Sequence, residues 1–229
     1  VLQRPSYWRV NDIETRHAKI GLFLRYRDAF EHTDVRINNC RFADNPDETL
    51  QPELHGYELA WSDAIFVGGN IWNDNRFDAT VLDGLQITNC EFEGVPHGFG
   101  SGWYYPPANR SRLRNFTMTD CIATDCSNGA FALTSVDTAL VQRVASLGGG
   151  TDNWAGSTLG FAQNSQNVTI DNCLFAYIDR RESADGVGFD FEGDVVNGTF
   201  TNNIVANASS SAMLILTTGG ECTNLNIQN

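Results

Sequence analysis

A short pattern of apolar and polar positions recurs along the chain. It consists of an apolar residue, a polar residue, Asn or Asp, Cys, any residue, and then Phe or a small apolar residue. Full copies occupy residues 37–42, 87–92, 118–123 and 170–175, and weaker copies begin at Val10, Val141, Phe200 and Ile227. A motif that returns every few tens of residues indicates a repeat architecture.

The spacing of the motif is regular except at one step. Its Cys position falls at residues 13, 40, 90, 121, 144, 173 and 203, and all steps but one span 23–31 residues. The exception is the 50-residue step from Cys40 to Cys90. We interpret it as one repeat unit that carries a large loop insertion near residues 43–80.

A second apolar segment precedes each copy of the motif. These segments are residues 22–24, 65–67, 103–105, 131–133, 159–161, 189–191 and 214–216. Short alternating segments bounded by Gly, Asn and Asp are typical of β-strands, and no stretch shows a sustained helical period. Each unit therefore predicts three short strands and no helix.

One unit per turn with three strands describes a parallel β-helix of about eight coils, in which equivalent residues stack from coil to coil. Residues Asn39, Asn89, Asp120, Asn172 and Asn202 would then form an Asn ladder in a tight turn, since Asn tolerates left-handed backbone. The Cys residues of the motif would form an inward column of small apolar side chains.

This repeat resembles the right-handed parallel β-helix, or pectate-lyase-like, superfamily over nearly all of the chain. The resemblance implies an all-β solenoid and one domain over residues 1–229. It also implies a substrate lying along the face of one sheet, beside the loops that enter that sheet. The superfamily includes lyases, glycosidases, esterases, phage tailspikes and adhesins, so the fold alone does not specify a function. We expect the chain to be part of a longer protein, or its coil ends to be covered by oligomer contacts.

Composition narrows the choice of partners. The net charge is −13, with one Lys among the 15 basic residues. Such a surface argues against nucleic acid and repels strongly anionic polymers. No apolar run is long enough to suggest a membrane partner. The six Cys match no zinc pattern, and we expect them to be free and buried. A disulfide between Cys90 and Cys121, or between Cys121 and Cys126, is the alternative.

The segment 188–192 offers the clearest candidate chemistry. If Phe189 and Phe191 point inward, Asp190 and Glu192 both point outward, with Cβ atoms about 7 Å apart. Carboxylate separations of about 5–9.5 Å serve both classes of glycoside hydrolysis. We therefore predict Asp190 and Glu192 as catalytic, with Asp185 assisting; the alternative is a solvated acidic strand face.

The same region permits a second chemistry. Asp185, Asp190, Glu192 and Asp194 carry oxygen ligands of the kind that Ca²⁺ takes. The resemblance implies that lyases of this fold pair such ligands with an Arg or Lys base, a role that Arg180 or Arg181 would fill. A surface ion network is the alternative interpretation of these arginines. No other cofactor is predicted.

Further candidates lie in the loops. His97 would overhang the cleft as a proton-transfer group. The predicted substrate-binding residues are Trp103, Tyr104, Asp152 and Trp154, since aromatic rings flanked by carboxylates suit sugars.

Three functions remain open at this stage. The first is a secreted, extracellular or cell-surface, carbohydrate-active enzyme that hydrolyses a polysaccharide or oligosaccharide. The second is a Ca²⁺-dependent polysaccharide lyase, and the third is a non-catalytic glycan-binding or adhesive β-helix.

Overall fold

The chain winds into a solenoid of short parallel β-strands. The computed structural model describes residues 2–3, 5–18, 20–25, 31–44, 63–68, 81–101, 113–149, 159–178, 186–217 and 220–228. All of the regular elements within these ranges are strands, as the sequence predicts. No helix in the described part of the chain is long and apolar enough to cross a membrane.

The strands follow one another along the chain with short connections. In order they are β1 (Leu2–Gln3), β2 (Arg9–Asn11), β3 (Glu14–Arg16), β4 (Leu22–Arg25), β5 (Glu31–Thr33), β6 (Arg36–Asn38), β7 (Arg41–Ala43), β8 (Ile65–Gly68), β9 (Val81–Asp83), β10 (Gln86–Thr88), β11 (Glu91–Glu93), β12 (Phe99–Gly100), β13 (Leu113–Thr119), β14 (Ile122–Cys126), β15 (Phe131–Thr134), β16 (Val136–Gln142), β17 (Ala145–Gly149), β18 (Phe161–Gln163), β19 (Gln166–Asp171), β20 (Leu174–Ile178), β21 (Phe189–Glu192), β22 (Thr199–Thr201), β23 (Ile204–Ala206), β24 (Met213–Leu216) and β25 (Asn226–Gln228).

Three parallel sheets run the length of the molecule. Sheet A has the order β1-β4-β8-β12-β15-β18-β21-β24, so it receives one strand from each of eight coils. Sheet B has the main order β2-β6-β10-β13-β16-β19-β22-β25, and sheet C consists of β3, β7, β11, β14, β17, β20 and β23. Each of the first seven coils passes through A, B and C in turn, which confirms the predicted three strands per coil, and the eighth coil supplies β24 to A and β25 to B.

The core is built from inward columns of residues that are register partners on successive coils. The inward column of sheet B contains Val10, Ile37, Ile87, Met118, Val141, Ile170 and Phe200. In sheet C, the rings of Phe42 and Phe92 stack with centroids 5.6 Å apart. Identical or similar side chains therefore lie directly above one another, which is why the apolar motif repeats.

The turn between sheets B and C contains the predicted ladder. Asn39, Asn89, Asp120, Asn172 and Asn202 all have left-handed backbone, with φ between 53° and 57°. Asn39 Nδ2 donates directly to Asp12 Oδ1 at the same turn position at 2.6 Å, whereas Asn89 Nδ2 donates diagonally to Asn38 Oδ1 at 3.0 Å and Asn202 Nδ2 to Asp171 Oδ1 at 2.8 Å. Arg143 occupies the same turn position and pairs with Asp120.

A second ladder, which the sequence analysis did not identify, lies within sheet B. Asn115, Asn167, Asn197 and Asn224 all have left-handed backbone. Asn197 Nδ2 donates to Asn167 Oδ1 at 2.9 Å, and Asn224 Nδ2 donates to Asn197 Oδ1 at 3.1 Å. These amides therefore connect successive coils, as those of the first ladder do.

Four of the cysteines, namely Cys40, Cys90, Cys121 and Cys173, form the predicted inward column. Within the described chain all six are free thiols, and only Cys222 is not fully buried. Burial raises the pKa of Cys126 to about 12 and that of Cys173 to about 11. At the same turn position on the seventh coil, the buried Asn203 donates to the Ile170 carbonyl and accepts from the Cys173 amide. The column thus tolerates a polar residue when its hydrogen bonds are satisfied.

Sheet A differs from the sequence prediction at two coils, and at one of them β18 spans Phe161–Gln163 where the pattern predicted residues 159–161. At the other, the fourth strand of the sheet is β12 (Phe99–Gly100), paired with β8 and β15, whereas the pattern predicted a strand at residues 103–105, which lie outside the described residues. Phe99 stacks on Phe116 with ring centroids 4.6 Å apart, so this aromatic residue takes the core position. Gly98 and Gly100, on both sides of Phe99, are residues typical of turns, so the sequence pattern did not indicate a strand there.

The long unit between Cys40 and Cys90 is a single coil. Strand β8 supplies its sheet A segment. Residues 45–62 and 69–80 on either side of β8, which make up most of the predicted insertion, lie outside the described residues.

Substitution of Asn89 tests the left-handed turn. Asn89→Ala should lower the free energy of unfolding by about 2 kcal/mol, because it loses a hydrogen bond and forces Ala into left-handed backbone. Asn89→Gly should cost about 1 kcal/mol, since Gly accepts that backbone. Urea unfolding measures both. Equal losses for the two variants would contradict the assigned role of the turn.

The buried thiols predict a loss of stability in alkali. The folded pKa values of Cys126 and Cys173 lie above the ordinary 9.0, so their stabilisation is complete below pH 9 and is lost as pH rises towards 11–12. Above about pH 9 each thiol should lower the free energy of unfolding by about 1 kcal/mol per pH unit. Urea unfolding of the reduced protein at pH 8 and pH 10 should show this slope, and Cys126→Ala/Cys173→Ala should reduce it.

Val144→Ala is the matched control for that experiment. Val144 occupies the Cys position of its coil and is buried, but it carries no thiol. The control should lower stability equally at both pH values. A slope that is unchanged in the double Cys variant would contradict the prediction.

Candidate active site on the outer face of sheet A

One outward column of sheet A brings the candidate residues together. Its register partners on successive coils are Phe23, Phe66, Gly100, Ala132, Phe161, Asp190 and Leu214. We call this the outer column. Phe23, Phe66, Ala132 and Phe161 are buried, but they lie outside the apolar cluster that fills the interior of the coils.

Strand β21 places the two predicted acids on this face. Phe189 and Phe191 belong to the interior cluster, with ring centroids 4.9 Å apart, so Asp190 and Glu192 alternate to the outside. Asp190 is only 2% exposed, and Glu192 is half-buried. A solvated acidic strand face therefore does not describe Asp190.

The neighbours of the two acids differ in character. Asp190 has Phe161 and Leu214 as its register partners, so it interrupts an apolar column. Glu192 lies between Gln163 and Leu216, and Gln163 is buried at 1% exposure. The face thus carries two buried polar side chains, Gln163 and Asp190, on adjacent coils.

The ring of His97 also lies on this face, and it has a partner that the sequence analysis did not identify. Its Nδ1 is 2.8 Å from Oδ1 of Asp63, and both side chains are buried. Burial raises the pKa of the Asp63 carboxyl, and the neighbouring His97 acts in the opposite direction. The ring of His97 meets that of Phe161 edge-on, with centroids 6.3 Å apart.

The register explains why Asp63 and His97 meet. Ile65 pairs with Phe99, and the Ala64 amide donates to the His97 carbonyl. Each of the two residues precedes its strand by two positions, so they are neighbours on consecutive coils. Once β12 is placed at Phe99, the sequence alone would have aligned Asp63 with His97.

Of the remaining predicted residues, the structure describes only Asp194. Asp194 follows Gly193, and both have left-handed backbone, so the chain turns away from the strand before Asp194. In the described ranges, no group of three or more His, Cys, Asp or Glu side chains is arranged to hold a metal ion. The other candidates, namely Asp185, Arg180, Arg181, Trp103, Tyr104, Asp152 and Trp154, lie outside the described residues and stay predictions.

The chemistry available on the face is proton transfer. A carboxylate that orients an imidazole, together with a pair of carboxylates on β21, three strands from β12 in the same sheet, supplies both acids and bases. These groups lie on the same face of sheet A, at different register positions.

Comparisons with known proteins address the fold more than the reaction. One solved structure similar to this chain is the A-module of a mannuronan C-5 epimerase from Azotobacter vinelandii, with 11% identity, a TM-score of 0.31, and coverage of 99% of this chain and 72% of that one. A TM-score of that size supports no inference about substrate or reaction. No curated protein matches the chain in sequence. The sequence profile of the family described as "Right handed beta helix region" matches residues 62–229, which is most of the chain. The chain belongs to the right-handed β-helix family.

Proposed function

We propose that the protein is an extracellular enzyme that hydrolyses a polysaccharide on the outer face of sheet A, using Asp190 and Glu192. The observation that carries this proposal is the burial of Asp190 at an outward position whose register partners are Phe161 and Leu214. An ionisable group is costly to bury, so its presence in an apolar column favours a chemical role over a structural one.

The strand geometry suits this reaction. Side chains two residues apart on one strand lie on the same face, about 7 Å apart, within the range that glycosidases use. One carboxyl group of the pair gives a proton to the leaving oxygen. The other stabilises the positive charge that develops on the sugar ring.

The overall charge favours a neutral polymer as substrate. A protein with a net charge of −13 repels polyanions over its whole surface. The extracellular location belongs to the proposal, because polymeric glycans of this kind are met outside the cell. The free cysteines do not oppose it, since five of them are buried in the core.

A panel of polysaccharides tests the proposal. The purified protein would be incubated with soluble starch, mixed-linkage β-glucan, xylan, mannan, pectin and alginate, with and without a chelator. Reducing ends and near-ultraviolet absorbance would both be measured. We expect reducing ends without absorbance from a neutral polymer, and no effect of the chelator. Absorbance that is lost with the chelator would instead identify a Ca²⁺-dependent lyase, and retention without product would identify a binding module.

The variant Asp190→Asn/Glu192→Gln tests the acid pair. We expect it to fold, as judged by thermal unfolding, and to lose about 10²–10⁴-fold in kcat, the usual contribution of general acid–base groups. Full activity in the folded variant would refute the assignment.

Sheet C supplies a matched control. Glu91 and Glu93 of β11 also flank a buried Phe and point outward, but on a different sheet. They pair with Arg41 at the surface, where salt bridges contribute little to stability. Glu91→Gln/Glu93→Gln should therefore leave both folding and activity unchanged.

A further inference from the structure

The outer column contains a gap at its centre. Phe23, Phe66 and Phe161 fill their positions with aromatic rings, whereas the two coils between Phe66 and Phe161 carry Gly100 and Ala132. Phe23 and Phe66 contact each other, with ring centroids 5.4 Å apart. The two small residues therefore interrupt a row of rings and leave space above the sheet.

Asp63 occupies that space. A Cβ atom placed on Gly100 would overlap the Asp63 carboxylate, with Oδ2 as the nearest atom. Any side chain at position 100 would therefore displace the carboxylate. The glycine is required here for close approach, since its φ is not left-handed.

His97 lies between this carboxylate and the acid strand. Its Nδ1 meets Asp63, and its ring meets Phe161, which is the register partner of Asp190. With Asp63 ionised, Nδ1 carries the proton and donates it, so Nε2 is left as a proton acceptor. Asp63, His97 and the acid pair thus belong to one continuous face.

We propose that His97 is the base of this site and that Asp63 is its positioning residue, an inference that rests on the proposed hydrolysis. Nε2 of His97 takes a proton from a water molecule as the water oxygen bonds to the anomeric carbon. The bond between that carbon and the glycosidic oxygen breaks, and a protonated carboxyl group of the Asp190–Glu192 pair gives its proton to the departing oxygen. Solvent then returns both groups to their starting protonation states.

Chemical rescue tests the role of His97. The probe is the polysaccharide of the panel that the wild type hydrolyses fastest. His97→Gly should lower kcat by about 10²–10⁴-fold with KM little changed. Added imidazole should restore part of kcat, which a purely structural role would not allow. His97→Gln serves as a second, bulkier variant if the glycine variant does not fold.

A competing base is distinguished in the same assay. If Glu192 were the base, Glu192→Gly would be restored by formate, and His97→Gly would not respond to imidazole. That pattern, or wild-type kcat in His97→Gly, overturns the proposal while leaving the hydrolysis intact. Failure of the wild type to release reducing ends from any panel member overturns both the proposed hydrolysis and the role of His97 in it.

His17→Asn is the matched control for the His97 variants. His17 lies at an exposed left-handed position in a corner of the coil, so this variant should keep full activity.

Asp63 and Gly100 are tested together. Asp63→Asn should lower kcat by less than His97→Gly does, and imidazole should not restore it, because the His97 ring is still present. Gly100→Ala should have a similar effect, since the new Cβ displaces the carboxylate. In an Asp63→Ala background, Gly100→Ala should cause no further loss of kcat, a non-additivity expected only of residues that act through the same contact. Additive losses, or wild-type kcat in Asp63→Asn, would overturn the positioning role. Asp125→Asn, at an exposed corner, is the control.

Discussion

The in-register pairing of parallel strands between coils is the constraint on which the whole structure depends. Because Ile37, Ile87 and Met118 are direct register partners, the residue type suited to one coil is suited to the next. The same constraint acts at the corners, where each coil must enter left-handed backbone at the same place. The recurring Asn and Asp residues follow from that requirement, since they accept this backbone better than other side chains and can bond to the neighbouring coil.

In such a solenoid, a residue whose type differs from that of its register partners on other coils calls for a specific explanation. Some departures are explained within the structure. Asn203 stands at the Cys position, and its amide satisfies two backbone groups of the coil below. Arg143 stands in the Asn turn and pairs with Asp120. The departures on sheet A are of another kind, because Gly100 and Ala132 remove volume from a row of rings and Asp190 introduces a carboxyl group into it.

The predictability of the fold follows from the same rule. Sheets B and C can be read from the sequence because each coil carries a full or a weak copy of the motif at the turn between them, so register can be counted. Sheet A has no such marker, and its strands follow loops of unequal length. For that reason the strand at Phe99 was misplaced by four residues, and the two-residue offset shared by Asp63 and His97 went unnoticed. The two acids of β21 could be predicted because Phe189 and Phe191 show the alternation of the strand clearly.

The second Asn ladder could also be recognised in the sequence in principle, since Asn167 and Asn197 each precede a Thr by two positions. Such triplets also arise by chance in a chain rich in both residues, so they did not indicate a ladder.

The energetics of the Asp63–His97 pair bear on what the pair is for. A buried ionic or hydrogen-bonded pair is weak evidence for stability, because apolar residues of similar volume often stabilise a protein as well or better. The outer column shows that such a replacement is available here, since Phe66 and Phe161 fill the adjoining positions with rings. The gap at Gly100 and Ala132 forgoes that packing and admits a carboxylate whose pKa is raised by its own burial. Aromatic residues at positions 100 and 132 would bury more apolar surface than Gly100 and Ala132 do. The arrangement is therefore understood most simply as one that holds an imidazole in a set orientation, on the same sheet face where β21 presents its two acids.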